Sequence, residues 1–446
     1  MLRPIAILAS VLVAASLAAQ QSPSAPQPVT LIKAARILDV KAGTYLARGA
    51  LLIEGEKIKE VGPLAELEKR TPKDAQVIDL GSATVLPGLI DCHAHLLIST
   101  EPTLGPGANI VLAVTELRPA ERALVGARNA REALEAGVTS ARIVGHSGVD
   151  ADAALRDAIN AGWLPGPRLQ AAARKITPPG GQAVSVQAAV SDAVLAQEFL
   201  PISGVDEARR AVRQALYDGA DLVKVVMDAG KRFMTPEEIK AVVEEAHRSR
   251  IKVAAHATTV TGIQAAIDAG VDSIEHGDEA TDEQLRAMAA KGIFLVPTLR
   301  TEALFRQLYE SSIVFTPQQR DGFEGFLKRW NEQSRAKMER AGKAGVKIAS
   351  GTDMWHDFPG KTRGQATVLA LESPAAFGVS PLDTIRSATL NAAELMGWSD
   401  RAGGLEAGKF ADLIAVPGDP LADITQLERV HFVMKGGKVV RNEIGK

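Results

Sequence analysis

Residues 85–95 read Val85-Leu86-Pro87-Gly88-Leu89-Ile90-Asp91-Cys92-His93-Ala94-His95. An apolar strand candidate here ends in two histidines one residue apart. Successive side chains on a strand point to opposite faces, so His93 and His95 project together and can share one metal ion. Cys92 and Ala94 face the other way, and Cys92 is expected to pack rather than to bind metal. A lone His-x-His is weak evidence, because two ordinary surface or core histidines give the same pattern.

The sequence that follows supplies the context. Apolar strand candidates alternate with amphipathic helical stretches, and eight of them end near His95, Gly145, Ala173, Met227, Thr258, Gly277, Leu299 and Asp353. Residues 222–226 and 251–255 are apolar apart from one lysine each, as strands covered on both faces should be. Residues 120–136 are rich in Ala, Leu, Arg and Glu, and Gly137 stands where such a helix stops. Eight β-α alternations over roughly 300 residues predict an α/β chain with a (β/α)8 (TIM) barrel. A doubly wound open sheet is the rival, but no glycine-rich phosphate loop supports it. Residues 301–343 form a long, charged helical stretch, expected as a lid or as an enlarged barrel helix.

Both ends of the chain have another texture. Residues 29–86 break into short strands punctuated by Gly43, Gly49, Gly55 and Gly62, and residues after 401 do likewise, with Gly436-Gly437 as a hairpin turn. One small β-sandwich built from both termini is expected, dividing the chain into 21–84, the barrel 85–400, and 401–446. Before these, Met1-Leu2-Arg3, the apolar run 5–17 and Ser16-Leu17-Ala18 have the layout of a secretory signal peptide over residues 1–20. The apolar run is short for a membrane span. The mature chain is therefore expected to be secreted or periplasmic, without membrane attachment, starting with a Gln-, Ser- and Pro-rich lead-in over 20–28.

The 446 residues carry 51 Lys and Arg against 53 Asp and Glu, a net charge of −2. Without a basic stripe, nucleic acid is a poor partner, and a small molecule is the expected one. Cys92 is the only cysteine, so no internal disulfide is available. Oligomeric state, a homo-oligomer included, is left open.

Chemistry-bearing residues recur at the strand ends. Lys224 lies inside the apolar strand Asp221-Leu222-Val223-Lys224-Val225-Val226-Met227, where an unpaired ammonium is costly. His256, His276 and Asp353 each follow an apolar run. In a barrel these ends converge on one face, where catalysis sits. Together His93, His95, Lys224, His256, His276 and Asp353 form a candidate metal site.

With Leu86-Pro87-Gly88-Leu89-Ile90-Asp91-x-His93-x-His95, Lys224, His256, His276 and Gly351-Thr352-Asp353 in this order, the sequence resembles the amidohydrolase superfamily. Asn391-Ala392-Ala393-Glu394-Leu395-Met396-Gly397 and Gly404-x5-Phe410-Ala411-Asp412-Leu413 add to the likeness. Residues 155–162, the Gly166-Pro167-Arg168 turn and Val296-Pro297-Thr298-Leu299 are similar to the imidazolonepropionase-related branch, which includes secreted Xaa-Pro-type dipeptidases. The resemblance implies two divalent metal ions, with zinc suited to nitrogen and oxygen ligands. His93, His95 and Asp353 would hold one ion and His256 and His276 the other, bridged by a carboxylated Lys224 (N6-carboxylysine). It also implies hydrolysis by a water activated between the metals, with Lys224 and Asp353 as catalytic residues and Asp353 shuttling the proton. The substrate would be a dipeptide or an N-acyl amino acid.

The sequence also departs from its relatives. Imidazolonepropionase uses one metal and lacks the bridging lysine, so Lys224 argues against that activity. His256-Ala257-Thr258-Thr259 lacks the glutamate common in related deaminases. Thr177-Pro178-Pro179-Gly180-Gly181-Gln182 ends in glutamine where the branch often has histidine. Gln182, His146 and Arg142 are candidate substrate contacts, Arg142 with an interior ion pair as its alternative, and the loop 227–230 is another. Asp91 is expected to orient a ligand histidine. His247, His356 and His431 are expected outside the chemistry. The rival functions are hydrolysis of a lactone, cyclic amide or phosphotriester, and a non-catalytic binding protein on the same scaffold.

Overall fold

Parallel pairing of Leu222–Val226 with Lys252–Ala257, of that strand with Ser273–His276, and of the last with Phe294–Val296 forms half of a barrel. These strands are buried almost throughout, as covered parallel strands must be. The other half runs Leu89–Ala94, Val138–Ile143 and Arg168–Gln170, again parallel. This computed structural model describes residues 27–100, 106–182, 187–311 and 313–445. The expected signal peptide, residues 1–20, lies outside the described residues. No described helix is long and apolar enough to cross a membrane.

Two strands close the barrel irregularly. The third breaks after Gln170 and resumes as Lys175–Thr177, which pairs with Leu222–Val226. The amides exposed by the break need acceptors. Asp221 Oδ2 accepts from Ala171 N (3.0 Å), and Asp152 Oδ2 accepts from Ala172 N and Ala173 N (3.1 and 2.9 Å). The eighth strand touches both neighbours: Leu295 N donates to Lys347 O, Ala349 N to Leu295 O, and Cys92 N to Ser350 O. The predicted eight-stranded barrel is therefore present.

The terminal segments form one eight-stranded sheet. Val29–Asp39 pairs antiparallel with Thr44–Glu54 and parallel with both Gln76–Asp79 and Thr84–Pro87. Leu413–Val416, from the C-terminal end, lies antiparallel to Thr84–Pro87. Alternation then builds two cores. Val85, Leu413 and Ala415 pack with Ile32, Ile53 and Phe432 where the sheet folds on itself as a sandwich. Leu86, Ile414 and Val416 face the other way, against Leu89, Val138 and Leu371 of the barrel. The predicted hairpin turn holds, with Gly436 and Gly437 at φ 55° and 71°. Two successive positive angles are what a two-residue hairpin loop requires.

The charged stretch 301–343 forms helices Glu302–Glu310 and Pro317–Ala344. Lys337 Nζ, from the longer one, donates to His276 O (2.9 Å) and Asp278 Oδ1 (2.8 Å). That helix is an enlarged barrel helix tied to the end of the sixth strand.

Candidate metal centre

His93 and His95 leave the first strand on the same side and meet Asp353 from the eighth. His95 Nε2 lies 3.1 Å and His93 Nε2 3.6 Å from Asp353 Oδ1. Ligand atoms of these three residues lie within 4.8 Å of one another. Backbone bonds hold the approach, since Asp353 N donates to His93 O at 2.8 Å. His276 sits beside His93 (ring centroids 5.2 Å apart) and His256 beside His276 (4.6 Å).

Three of the four imidazoles are oriented from behind. The outward ring N–H of a metal-binding histidine is usually held by an acceptor, which leaves the other nitrogen's lone pair for the metal. Here His93 Nδ1 pairs with Glu275 Oε2 (2.7 Å), His95 Nδ1 with Gly145 O (2.9 Å) and His276 Nδ1 with Thr298 Oγ1 (2.8 Å). His256 turns Nε2 toward Asp228 Oδ1 (3.8 Å) and Nδ1 toward Gln182 Nε2 (3.4 Å). Burial, reinforced by Lys224 in each case, keeps the His93, His256 and His276 pKa values below the ordinary one, and neutral imidazole is the form that binds metal.

Glu275 is fully buried and was not foreseen. Burial alone would raise its carboxyl, but Arg142, Lys224 and His93 hold it well below the usual range. Arg142 Nη2 donates to Glu275 Oε1 (2.7 Å), Ser273 Oγ to the same oxygen (2.5 Å), and Arg142 Nε to Cys92 O (2.6 Å). Of the two expectations for Arg142, the structure thus has the interior ion pair. At 1% exposure it lies behind the histidines and does not line the cavity. Asp91 also differs from expectation. Its Oδ1 accepts from the backbone of His93 and Thr352, and Oδ2 from Thr352 Oγ1, so it ties strand one to strand eight while Glu275 orients the ring.

Lys224 points into the barrel, 2% exposed, and its Nζ has no hydrogen-bond partner among the described residues. Burial lowers its pKa to about 8. An orphaned amine beside four imidazoles and a carboxylate suits a second, bridging metal position once the amine becomes an anionic oxygen ligand. Thiolate is absent from this set. Cys92 packs among Ile90, Phe294 and Val296, and burial pushes its thiol up to about 12.

These side chains line one cavity of about 240 Å³, with Ile110, Val144, His146, Lys175, Gln182 and Trp355. Gln182 and His146 therefore reach the cavity, as expected, whereas Asp228 of the 227–230 loop accepts from the amides and hydroxyls of Thr258 and Thr259, the second of which caps the next helix. His356 is buried against Thr100 (2.8 Å), and His247 pairs with Asp272. Lys175 was not foreseen. Among the described residues, the non-glycine residues with positive φ are Arg48, His146, Ala173, Arg250, His276, Thr298 and Asp353. All but Arg48 and Arg250 stand at or near the C-terminal ends of barrel strands, where such strain, about 1–3 kcal/mol each, collects at functional sites.

Comparison with known proteins agrees with this geometry. Residues 84–440 match the amidohydrolase family. The chain is 30% identical to an ochratoxinase of Aspergillus niger over 429 residues, covering 90% of this chain and 84% of that protein. It is 27% identical to an imidazolonepropionase of Pseudomonas savastanoi pv. phaseolicola, covering 89% and 94%. The solved structure of a Xaa-Pro dipeptidase with methionine in its active site superposes with a TM-score of 0.76 at 31% identity, covering 92% and 99%. The chain belongs to the amidohydrolase family, in the branch that contains imidazolonepropionases and Xaa-Pro dipeptidases.

Proposed function

We propose that this hydrolase of C–N bonds cleaves the amide bond of a dipeptide or an N-acyl amino acid, with two divalent ions, zinc foremost, in its cavity. His93, His95 and Asp353 would hold one ion, His256 and His276 the other, and Lys224, carboxylated, would bridge them. The observation that carries this reading is the Lys224 amine, buried and without a partner among histidines. Its lowered pKa leaves a useful fraction of free amine near neutral pH. That amine adds to the carbon of carbon dioxide, an N–C bond forms and one proton leaves.

The ions would lower the pKa of a water and polarise the scissile carbonyl. The protein's own groups do the rest. Burial alone would raise the Asp353 carboxyl, but His95 and His93 hold it well below the usual range, so it stands ready as the base. It takes the proton of the attacking water and returns it to the leaving amine. Glu275, Gly145 O and Thr298 keep three rings aimed at the cavity, and Arg142 holds Glu275.

The reading extends to the whole protein. Residues 1–20 are removed on export to a secreted or periplasmic location. The chain divides into a sandwich domain of residues 21–84 and 401–446 and a barrel of 85–400, with the strand Thr84–Pro87 crossing from the first into the second. The partner is a small molecule, with no nucleic acid and no membrane. N-terminal sequencing of the exported protein checks the cleavage.

Metal-reconstituted protein assayed on dipeptides, N-acyl amino acids, lactones, cyclic amides and phosphotriesters tests the chemistry. Turnover is expected on the first two classes. Turnover confined to the others would reject the substrate class, and no turnover with no bound metal would reject the enzyme reading.

A further inference from the structure

Lys175 is a second buried lysine in this cavity, and the bridging role does not use it. It is 2% exposed. Ile176 pairs with Val225 across neighbouring parallel strands, so Lys175 and Lys224, one position earlier on each, point to the same side. The side chain has a prepared path. Gly145, at φ 104°, lies against its stem, and a Cβ there would come within 2.6 Å of Lys175 Cγ. At the tip, Nζ donates to His146 Nε2 (2.8 Å) and Gln182 Oε1 (2.6 Å), with the Phe199 ring centre 5.1 Å away.

Both hydrogen-bond partners are neutral acceptors, and an ammonium has three donors. Two acids act on it, Glu198 and Asp353, and both are already engaged: Asp353 Oδ1 faces His93 and His95, Arg122 Nη1 donates to Glu198 Oε1 at 2.5 Å, and His146 Nδ1 lies 3.6 Å from Glu198 Oε2. Arg122 Nη2 also donates to His146 O (2.8 Å), which fixes the loop that presents His146. The cluster of Arg122, Lys175, Glu198 and neutral His146 thus carries one positive charge more than negative, and Lys175 and His146 present it to the cavity. A buried cation without a counterion is costly. Burial, with the Lys224 ammonium before it is carboxylated, lowers the Lys175 pKa to about 7, and an anion arriving beside the Lys175 ammonium gains by pairing with it.

In a dipeptide or an N-acyl amino acid, the amine released by hydrolysis is bonded to the carbon that bears a free carboxylate. The leaving half therefore brings one anion into the cavity, beside the group that must protonate its nitrogen. We propose that the Lys175 ammonium, steadied by His146 and Gln182, receives the carboxylate of the leaving amino acid and so restricts cleavage to the amide bond next to a free carboxyl terminus. This rests on the amide-hydrolase reading above and adds to it which end of the substrate is recognised.

The test compares each cleaved substrate with its carboxamide, in which that carboxylate is neutral. Wild-type enzyme is expected to prefer the acid by on the order of 100-fold in kcat/KM, mostly through KM, the size expected for a buried charge-assisted contact. In K175M, with metal content at the wild-type level, the acid-to-amide ratio should collapse to near one, whereas K175R should keep part of it. A wild-type ratio near one, or a K175M ratio that stays high, would overturn the proposal. So would loss of bound metal in a folded K175M. If K175M does not fold, the wild-type ratio together with K175R still decides. Calorimetric titration of wild-type protein with N-acetyl amino acids and their amides separates this inference from the function itself. Tighter binding of the acids supports the Lys175 subsite even where nothing on the panel turns over, and equal binding overturns it while amide hydrolysis stands.

Discussion

The two sides of the cavity are built in opposite ways. On the side of strands one, six and eight, the outward nitrogens of His93, His95 and His276 each have a partner, and the inner nitrogens converge with Asp353. On the side of strands two and three, Lys175 offers a cation through two neutral acceptors. The first side presents lone pairs and negative charge, which attract cations; the second presents positive charge, which attracts an anion. Lys224 stands at the seam. A small cavity can thus hold both ends of a polarised reactant because, Asp353 apart, its acids are kept either behind the histidines (Glu275) or behind His146 (Glu198).

Removing groups from each side should break this division to different degrees. Asp353→Asn should lower kcat of the metal-reconstituted enzyme by at least about 1000-fold, the loss of a positioned proton carrier; retention of a tenth of wild-type kcat would dismiss that role. Lys224→Met should reduce bound metal below two equivalents by elemental analysis, and added metal should not restore activity. Glu275→Gln keeps the shape but withdraws the charge that faces Arg142 and His93. It should weaken metal affinity 10–100-fold and cost about 3 kcal/mol in chemical denaturation, showing that the cation-binding side is anchored from behind.

The second side has its own signature in pH. Burial alone would raise the Glu198 carboxyl, but His146 and Arg122 hold it at about 2, against an ordinary value of 4.5. As pH falls, the unfolded chain takes up the proton first. The stabilisation by Glu198 is therefore full above about pH 4.5 and is lost between there and about pH 2. Thermal midpoints of wild type should fall more steeply on acidification from pH 5 to pH 3 than those of Glu198→Gln; parallel curves would show that the pair is not held this way. The smallest effect lies away from both sides. Thr316 caps the long helix, its side chain accepting from Gln319 N. Thr316→Ala should cost about 1 kcal/mol of stability and leave kcat and the acid-to-amide ratio unchanged.

The legibility of the two sides differed for physical reasons. His93, His95, Lys224, His256, His276 and Asp353 stood out because polar residues at the ends of apolar runs are conspicuous, and the structure places all six around one cavity. Glu275 immediately precedes His276 and is hidden at the end of the run that leads to it. Its signal was Ser273, two residues earlier on the same face, whose hydroxyl it accepts. Lys175 escaped because the third strand was ended at Ala173. A break with positive φ there, capped by Asp152 and Asp221, cannot be seen in an apolar pattern, and the resumed strand is three residues long. Asp91 was assigned to a ring because acids near ligands usually serve rings, yet its neighbours on the eighth strand offered it an amide and a hydroxyl. The barrel came from periodicity alone. Its irregular closing strands did not, because their hydrogen bonds depend on partners far along the chain.

The pairing of Thr84–Pro87 with Leu413–Val416 also has a meaning in time. The strand that runs directly into His93 and His95 leans on a segment made long after it, once the whole barrel has been synthesised. Until that segment emerges, Leu86 and Leu89 lack part of their cover, and the histidines that follow have an unfinished support. The footing of the first two histidines is thereby completed by a segment that follows all eight barrel strands, so a chain stopped short of Leu413 is a barrel without firm support for them.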